Sequence, residues 1–181
     1  YLGNKESILH EINDLLQSKG LLRSGYTFFD AFCGSGSVAD YFKSIYDIII
    51  NDNLTWSVIY TRGRLCATAC TFEKLRFDPF EYLNSNKSII HGFMYNNYAP
   101  TETQRMYFTP ENAGRIDFFR QQIENWKIED KLSDDEYYYL LACLIESVSD
   151  VSNTAGVYGA FLKKWDSRAL KEIVFNKVDF Q

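Results

Sequence analysis

The sequence predicts an α/β fold that begins with part of a doubly wound parallel sheet and continues into a long helical region. Residues 26–32 and 47–52 are short apolar stretches rich in aromatic and β-branched side chains, which suits buried strands. Residues 37–46 between them carry apolar side chains at helical spacing. A strand, a turn, a helix and a second strand in this order form the repeating unit of a doubly wound sheet.

The remaining elements are predicted to be mainly helices. One helix spans residues 7–22, with Gly20 as a stop signal, and another begins with Thr109 as its N-cap and Pro110 at its first position. A further helix follows a capping box at residues 133–136. Residues 170–180 predict one more strand. Only two or three strands are then visible, where a sheet has on average about five or six, so the sheet is expected to be incomplete in this chain.

Composition is that of an ordinary globular protein. The chain has 181 residues, of which 46% are hydrophobic, and no apolar run approaches the length of a membrane span. No secretory leader is apparent, so a cytoplasmic protein is expected. The four cysteines lack the spacing of a zinc site and are predicted to be free thiols, with no metal bound. The net charge of −5 does not by itself favour a nucleic-acid partner.

A glycine-rich turn follows the first predicted strand. Residues 34–39 read "GSGSVA", which satisfies G-x-G-x-x-A between a strand and a helix, and Asp52 ends the next strand where ribose hydroxyls are met. The glycines can also be explained by a tight turn alone. A nucleotide-type ligand is favoured, but this pattern leaves both NAD and S-adenosylmethionine open, because each contains an adenosine.

The residues before the first glycine favour a cationic ligand. Asp30 stands four residues ahead of Gly34, where its carboxylate could accept hydrogen bonds from the ammonium of a methionine moiety. It would repel a dinucleotide pyrophosphate. Backbone N–H groups of residues 34–37 and the following helix N-terminus are expected to face the carboxylate of the same moiety.

Asp30, Phe32, Gly34 and Gly36 resemble the D-x-F-x-G-x-G motif of the S-adenosylmethionine-dependent DNA adenine methylases of restriction-modification systems. The stretches "YLGNK" (1–5), "NDN" (51–53), "RMYFTPENAGRID" (105–117) and "NTAGVYGAFLKKW" (153–165) extend this resemblance over nearly the whole chain. The resemblance implies a cofactor site at Tyr1, Lys5, Asp30, Phe32, Gly34, Ser35, Gly36, Asp52 and Asn53.

The resemblance also implies an organisation and an activity. Residues 1–53 would start a Rossmann-like methyltransferase domain, 54–171 would form an inserted helical target-recognition region, and 172–181 would return toward the catalytic sheet. The expected reaction is methylation of the exocyclic amino group of adenine in double-stranded DNA, in the bacterial cytoplasm. A cognate restriction endonuclease would act on the same DNA site without forming a stable complex.

The family's catalytic Asp/Asn-Pro-Pro-Tyr motif is not present in this sequence. The three prolines are separate, and "DPFE" at residues 78–81, the nearest imitation, is better explained as an ordinary turn or helix start. No catalytic residue is therefore predicted within the chain. The motif is expected beyond Gln181, and the chain is expected to be an inactive fragment of a methylase.

Residues that contact DNA are predicted in the helical region. Residues 154–177 contain five basic and two acidic side chains, a local charge of +3 that suits phosphate contacts, although a solvated helix face would look similar. The candidates are Tyr98, Arg105, Asn153, Tyr158, Lys163, Lys164 and Trp165. An NAD-dependent oxidoreductase, which Asp30 opposes, and a non-catalytic DNA-specificity module remain as alternative functions.

Overall fold

The computed structural model describes residues 4–156 and 158–180 and shows a mixed α/β protein. Its strands are β1 (Thr27–Asp30) and β2 (Asp47–Ile50). Its α-helices are α1 (Leu9–Ser18), α2 (Ser37–Phe42), α3 (Thr55–Cys66), α4 (Pro79–Ser85), α5 (Phe93–Tyr98), α6 (Pro110–Ile128) and α7 (Asp134–Asp150). Within the described ranges, none of these helices combines the length and the apolar character needed to cross a bilayer.

The chain divides into two compact units. The first unit comprises Tyr1–Cys70, Asp134–Ala142 and Asp179–Gln181, and the second comprises Thr71–Ser133 and Cys143–Val178. Helix α3 and the first half of α7 therefore belong with the strands, although the sequence assigns them to the helical region.

β1 and β2 pair in parallel and α2 connects them, which confirms the predicted strand, turn, helix and strand unit. Asp30 lies opposite Ile50 at the end of the ladder. Beyond it, Asn51 N–H donates to the Asp30 carbonyl and Cys33 N–H donates to the Asn51 carbonyl, each at 2.9 Å. These bonds bring Asp52 and the residues that follow β1 to the same edge of the sheet, where ligands of parallel α/β sheets bind.

One face of the sheet packs against helices and the other is exposed. Phe28 of β1 stacks on Phe42 of α2 with ring centroids 5.3 Å apart, and α1 packs on the same cluster. On the other face, Phe29 and Ile49 are 59% and 53% exposed. The prediction of fully buried strands is therefore wrong for one face, because the helices of the first unit cover only the other.

Helix α1 ends at a Schellman motif built on Gly20, which confirms the predicted stop signal. Gly20 has a φ of +66°, its N–H donates to the Gln17 carbonyl and Leu21 N–H donates to the Leu16 carbonyl, both at 2.9 Å. The left-handed residue ends the helix at Ser18, so its predicted extension to residue 22 is wrong.

The predicted helix starts in the second unit are present. Thr109 Oγ1 accepts a hydrogen bond from Asn112 N–H at 3.2 Å at the start of α6. At the start of α4, Asp78 Oδ1 accepts from Phe80 N–H at 2.7 Å and from Glu81 N–H at 3.1 Å. The "DPFE" segment is thus an ordinary capped helix start, as predicted.

The strand predicted at residues 170–180 is wrong, because this segment has no regular secondary structure. Its backbone is held by side chains instead of by a neighbouring strand. Ile173 N–H donates to Asn112 Oδ1 at 2.9 Å, and Phe175 N–H donates to Asn84 Oδ1 at 2.8 Å. Ile173 and Phe175 are almost fully buried, so apolar burial and these amide contacts together anchor the segment.

We expect Asn112→Ala to lower the free energy of unfolding by roughly 2–4 kcal/mol, because buried backbone groups lose their partners at a cost of ~1–3 kcal/mol each. The Asn112 amide also donates to the carbonyls of Ala169 and Lys171, at 3.2 and 2.8 Å. Urea unfolding of the chain measures the change. Gln121→Ala on the exposed side of the same helix is the control, with an expected change within about 0.5 kcal/mol. Equal changes in both variants would contradict the anchoring role of Asn112.

Candidate functional site

The turn between β1 and α2, residues 31–36, is called the glycine turn here. Gly34 and Gly36 have φ values of +53° and +78°, a region that L-residues with side chains rarely adopt. A Cβ on Gly36 would lie 2.7 Å from Cγ2 of Thr61, so this position requires glycine for its space as well as for its conformation. Gly36 N–H donates to the Cys33 carbonyl at 2.7 Å, which closes the turn.

Side chains of α3 hold the carbonyl of Gly34. Ser57 Oγ donates to it at 2.5 Å and Thr61 Oγ1 at 3.2 Å. Both side chains are fully buried. The conformation of the glycine turn is therefore set by a helix that follows it in the sequence.

Asp52 holds the N–H of the same glycine. Asp52 Oδ2 accepts from Gly34 N–H, and its Oδ1 accepts from Leu54 N–H, both at 3.0 Å. The hydrogen bonds from Leu54 and then Gly34 lower the pKa of the Asp52 carboxyl. The N–H groups of Gly34 and Gly36 are thus engaged inside the protein, so the expectation that they face a ligand is wrong. Among the described residues, the N–H of Ser35 has no acceptor.

Asp30 lies at the end of β1 with one carboxylate oxygen unsatisfied. Its Oδ2 is buried and has no hydrogen-bond partner within residues 4–156 and 158–180. Burial raises the pKa of this carboxyl, and the Lys5 ammonium and the backbone N–H groups of Phe32 and Ala39 partly oppose the rise. An additional donor at this oxygen would remove an unfavourable arrangement.

A cavity of about 260 Å³ opens beside the glycine turn. Its wall consists of Asn4, Lys5, Phe32, Cys33, Gly34, Ser35, Ser37, Val38 and Asp52. Five of the predicted cofactor residues are in this wall, namely Lys5, Phe32, Gly34, Ser35 and Asp52. Asp30, Gly36 and Asn53 are not in the wall, and Tyr1 lies outside the described residues.

Two polar residues of the wall, Asn4 and Ser37, are absent from the predicted set. Ser37 Oγ donates to Asn4 Oδ1 at 2.6 Å, although the two residues lie in separate motifs. Both residues stand inside the quoted motif segments, which is a usable signal, but a single sequence contains nothing that pairs them.

The described residues contain no group of three His, Cys, Asp or Glu side chains that could hold a metal ion. All four cysteines are free thiols, as predicted.

Several of the predicted DNA-contacting residues lie around an aromatic cluster in the second unit, formed by Tyr98, Tyr107, Tyr158 and Phe161. The Tyr107 ring lies 5.5 Å from that of Tyr98 and 5.2 Å from that of Phe161, centroid to centroid. The Tyr107 hydroxyl donates to the Tyr158 carbonyl at 3.3 Å. The Arg105 guanidinium is 6.0 Å from the centre of the Tyr98 ring, and both Arg105 and Tyr158 are exposed. The structure therefore brings Tyr98, Arg105 and Tyr158 together.

Asn153 is fully buried next to this cluster. Its Nδ2 donates to the carbonyls of Met106 and Leu162 at 2.8 and 3.0 Å, and its Oδ1 accepts from Asp166 N–H at 2.9 Å. The side chain thus ties the segment around residues 162–166 to the segment before α6. No part of it is exposed to a partner.

Lys163 and Lys164 are exposed, and Trp165 between them and Asp166 is half-buried. Within the part of the chain that the structure describes, neither lysine has an ion-pair partner. Their charges are therefore available to an anionic partner.

Comparison with known proteins relates the chain to DNA-modifying enzymes. It is 41% identical over 192 residues to the modification methylase LlaI of Lactococcus lactis subsp. lactis, in an alignment that covers 100% of the chain and 30% of that protein. It is 37% identical over 187 residues to the type II methyltransferase M.FokI of Planomicrobium okeanokoites, covering 99% of the chain and 29% of the relative. The type II methyltransferase M.NlaIII of Neisseria lactamica is 33% identical over 186 residues, which are 100% of the chain and 54% of the relative.

The chain thus spans 30% or less of the length of the first two relatives. No solved structure matches it. The family model for D12 class N6 adenine-specific DNA methyltransferases matches residues 1–181, from the first residue of the sequence to the last. The chain belongs to the family of D12 class N6 adenine-specific DNA methyltransferases.

Proposed function

We propose that the cavity beside the glycine turn binds S-adenosylmethionine. The observation that carries this proposal is the buried Asp30 Oδ2, which has no partner among the described residues. Asp30 is not part of the cavity wall but ends β1, the strand that leads into the glycine turn. A ligand that extends from the cavity to the end of β1 would bring the ammonium of its methionine moiety to this oxygen, whereas a dinucleotide pyrophosphate would meet a repelling carboxylate. Membership of an adenine methyltransferase family supports the same ligand, because methylation requires a methyl donor.

The size and the wall of the cavity favour the methionine end of the cofactor. Its volume of about 260 Å³ is near the lower limit of the roughly 300–1,000 Å³ usual for ligand pockets, so it suits part of a ligand. Lys5 is the cation in the described wall that suits a carboxylate, and the N–H of Ser35 is a further donor there. When bound, the cofactor supplies an electrophilic methyl group on a sulfonium sulfur.

We assign Asp52 to the ribose of the cofactor. Each of its carboxylate oxygens accepts one backbone N–H and has capacity for another hydrogen bond, which a ribose hydroxyl could donate. Because Asp52 also holds Gly34, a substitution there would alter the turn and the ribose contact together. A substitution at Asp30 is therefore the better test of cofactor binding. Phe32 is a proposed cofactor-site residue that also lines the cavity, whereas Tyr1, Gly36 and Asn53 remain proposed on the resemblance alone.

We propose that the two-stranded sheet is the start of a doubly wound Rossmann-like methyltransferase sheet. The parallel β1–α2–β2 unit supports this, and so does the exposed apolar face at Phe29 and Ile49, since open α/β sheets carry layers on both faces. The proposed organisation is a cofactor-binding start at residues 1–53, a target-recognition region at 54–171 and a return toward the catalytic sheet at 172–181. The helices of 54–171 support this division, but α3 and the first half of α7 lie in the first compact unit, so the two divisions do not coincide.

We propose that the surface around the aromatic cluster contacts double-stranded DNA. Lys163 and Lys164 would contact phosphates, Arg105 and Tyr98 offer polar and aromatic groups to bases, and Tyr158 extends the same surface. Trp165 is assigned to this surface with the lysines. Buried Asn153 is assigned a positioning role, because its amide holds the segment that contains them.

We propose that the protein from which this chain derives methylates the exocyclic amino group of adenine in duplex DNA as the modification enzyme of a restriction-modification system. The names of the three relatives described above support this: one is a modification methylase and two are type II methyltransferases. A cognate endonuclease would share the DNA site without a stable complex. The amino group is a poor nucleophile, so the target base must be extruded and held by acceptors, for which the chain has no Pro-Pro motif.

We expect Asp30→Asn to weaken S-adenosylhomocysteine binding by about tenfold or more, because a hydrogen bond between charged groups contributes ~1.5–3 kcal/mol. Adenosine has no ammonium, so its affinity should change less than about twofold. Isothermal titration calorimetry measures both, with NAD as a comparator ligand. Equal losses for the two ligands would mean that Asp30 acts only through the fold. Tight binding of NAD alone would favour the oxidoreductase alternative.

Lowering the pH should weaken the binding of S-adenosylhomocysteine to the unsubstituted chain, as Asp30→Asn does. The ligand ammonium requires an ionised Asp30, and burial raises the pKa of that carboxyl. Affinity for S-adenosylhomocysteine is therefore expected to be full at neutral pH and to fall as pH decreases through a value above the ordinary ~3.9 of aspartate. The Asp30→Asn variant should lack this dependence.

We expect Lys163→Ala with Lys164→Ala to weaken binding to all DNA duplexes alike. Loss of two phosphate contacts should reduce the slope of log affinity against log salt by about 1.8. Fluorescence anisotropy with several unrelated duplexes measures both quantities. Lys74→Ala with Lys131→Ala is the matched control, since these ammonium groups already pair with Asp130 and Glu129. A loss confined to one duplex sequence would show that the lysines read bases.

We expect the 181-residue chain to bind S-adenosylhomocysteine without transferring methyl groups to adenine in duplex DNA. The physical reason is the lack of the motif that would hold the adenine amino group and stack the extruded base. Tritiated methyl transfer by the chain, compared with that by a longer protein containing it, checks this. A comparable rate for the chain would contradict it and direct attention to residues 78–81.

A further inference from the structure

The N-terminal turn, residues 4–6, is held in place by side chains. Asn4 Oδ1 accepts from Glu6 N–H at 3.1 Å, which closes the turn locally. The same oxygen accepts from Ser37 Oγ at 2.6 Å, which ties the turn to α2. Ser37 is 4% exposed, so its end of the bond is shielded from water. A hydrogen bond is stronger in such an environment than in water.

A second connection reaches the N-terminal turn from α3. Arg64 Nε donates to Asp40 Oδ2 at 2.8 Å, and its Nη1 lies 3.9 Å from Glu6 Oε1. The Asp40 side chain is almost fully buried and that of Arg64 is mostly buried, so this ion pair holds the Arg64 guanidinium in place. Glu6 is largely exposed, so its own pairing with Arg64 contributes little. Ser37 Oγ also lies 3.4 Å from Glu6 Oε1, but its bond to Asn4 Oδ1 at 2.6 Å is much the shorter. The Ser37–Asn4 bond is therefore the main constraint on the turn.

Lys5 stands between the two constrained residues and lines the cavity. It is the one cationic side chain in the described wall, which otherwise contains the carboxylate of Asp52 and several neutral groups. The Lys5 ammonium also acts on Asp30, whose pKa it lowers against the effect of burial. A long, flexible lysine binds an anion well only when its backbone is fixed, because ordering it costs conformational entropy.

We propose that Asn4 is a positioning residue for the ligand of this cavity: by joining Glu6 N–H to Ser37 Oγ, it fixes the backbone of Lys5 so that the lysine ammonium faces the ligand's carboxylate. This inference rests on the proposed binding of S-adenosylmethionine. Asn4 does not itself contact the ligand in this arrangement. It acts through Lys5, and its effect should vanish when the lysine charge is absent.

A double-mutant cycle tests this dependence. Asn4→Ala is expected to weaken S-adenosylhomocysteine binding about fivefold to tenfold in the unsubstituted chain, and less than about twofold in the Lys5→Met background. Asn13→Ala in α1 is the control and should leave affinity unchanged. Additive losses, or no loss with Asn4→Ala, would overturn the proposal, because Asn4 would then act independently of Lys5 or not at all.

A readout without ligand separates this inference from the proposed function. The carboxyl of Asp30 can be titrated by carbon-13 NMR in the ligand-free chain. Asn4→Ala and Lys5→Met should each raise its midpoint, and the double variant should raise it no further than Lys5→Met alone. An unchanged midpoint in Asn4→Ala overturns the positioning role. If the midpoints behave as expected but the chain shows no affinity for S-adenosylhomocysteine, only the proposed ligand fails.

Discussion

The first unit depends on the backbone of one residue, Gly34, whose N–H and carbonyl are both held by side chains from later in the chain. Asp52 accepts its N–H, and Ser57 and Thr61 donate to its carbonyl. A buried backbone group without a partner would cost free energy, so these contacts are required rather than incidental. They join β2 and α3 to the turn after β1. Gly36 completes the arrangement, because the absence of a side chain there leaves space for Thr61.

This arrangement decides which groups remain for a ligand. The N–H groups of Gly34 and Gly36 are used within the protein, whereas the buried Asp30 Oδ2 and the N–H of Ser35 lack partners among the described residues. Under the proposed function, a ligand would be recognised mainly by charged side chains, the carboxylate of Asp30 and the ammonium of Lys5, and the turn would serve as a rigid support. Such a pair suits a zwitterionic amino-acid moiety better than a diphosphate.

In the second unit, asparagine side chains that are buried or half-buried have the role that strand pairing has in a sheet. Asn112 and Asn84 form hydrogen bonds to the backbone of residues 170–180. Asn153 joins the segment before α6 to residues 162–166. An asparagine amide offers both donors and an acceptor, so one side chain can satisfy several groups of an irregular backbone. Loops that carry exposed aromatic and basic residues are thereby positioned without regular structure, which suits the DNA-contacting surface proposed above.

The sequence by itself determined the local elements and the family. The β1–α2–β2 unit, the stop at Gly20 and the caps at Thr109 and Asp78 follow from short-range patterns whose physical causes lie within a few residues. The motif order was enough to identify a methyltransferase family. Only the tertiary structure decided that Asp52 is engaged by Gly34, that Asn4 meets Ser37, that Asn153 is buried and that residues 170–180 form no strand. These outcomes depend on contacts between residues that are distant in the chain. A single sequence does not show which distant residues will meet, because each side chain has many alternative partners until the whole unit packs.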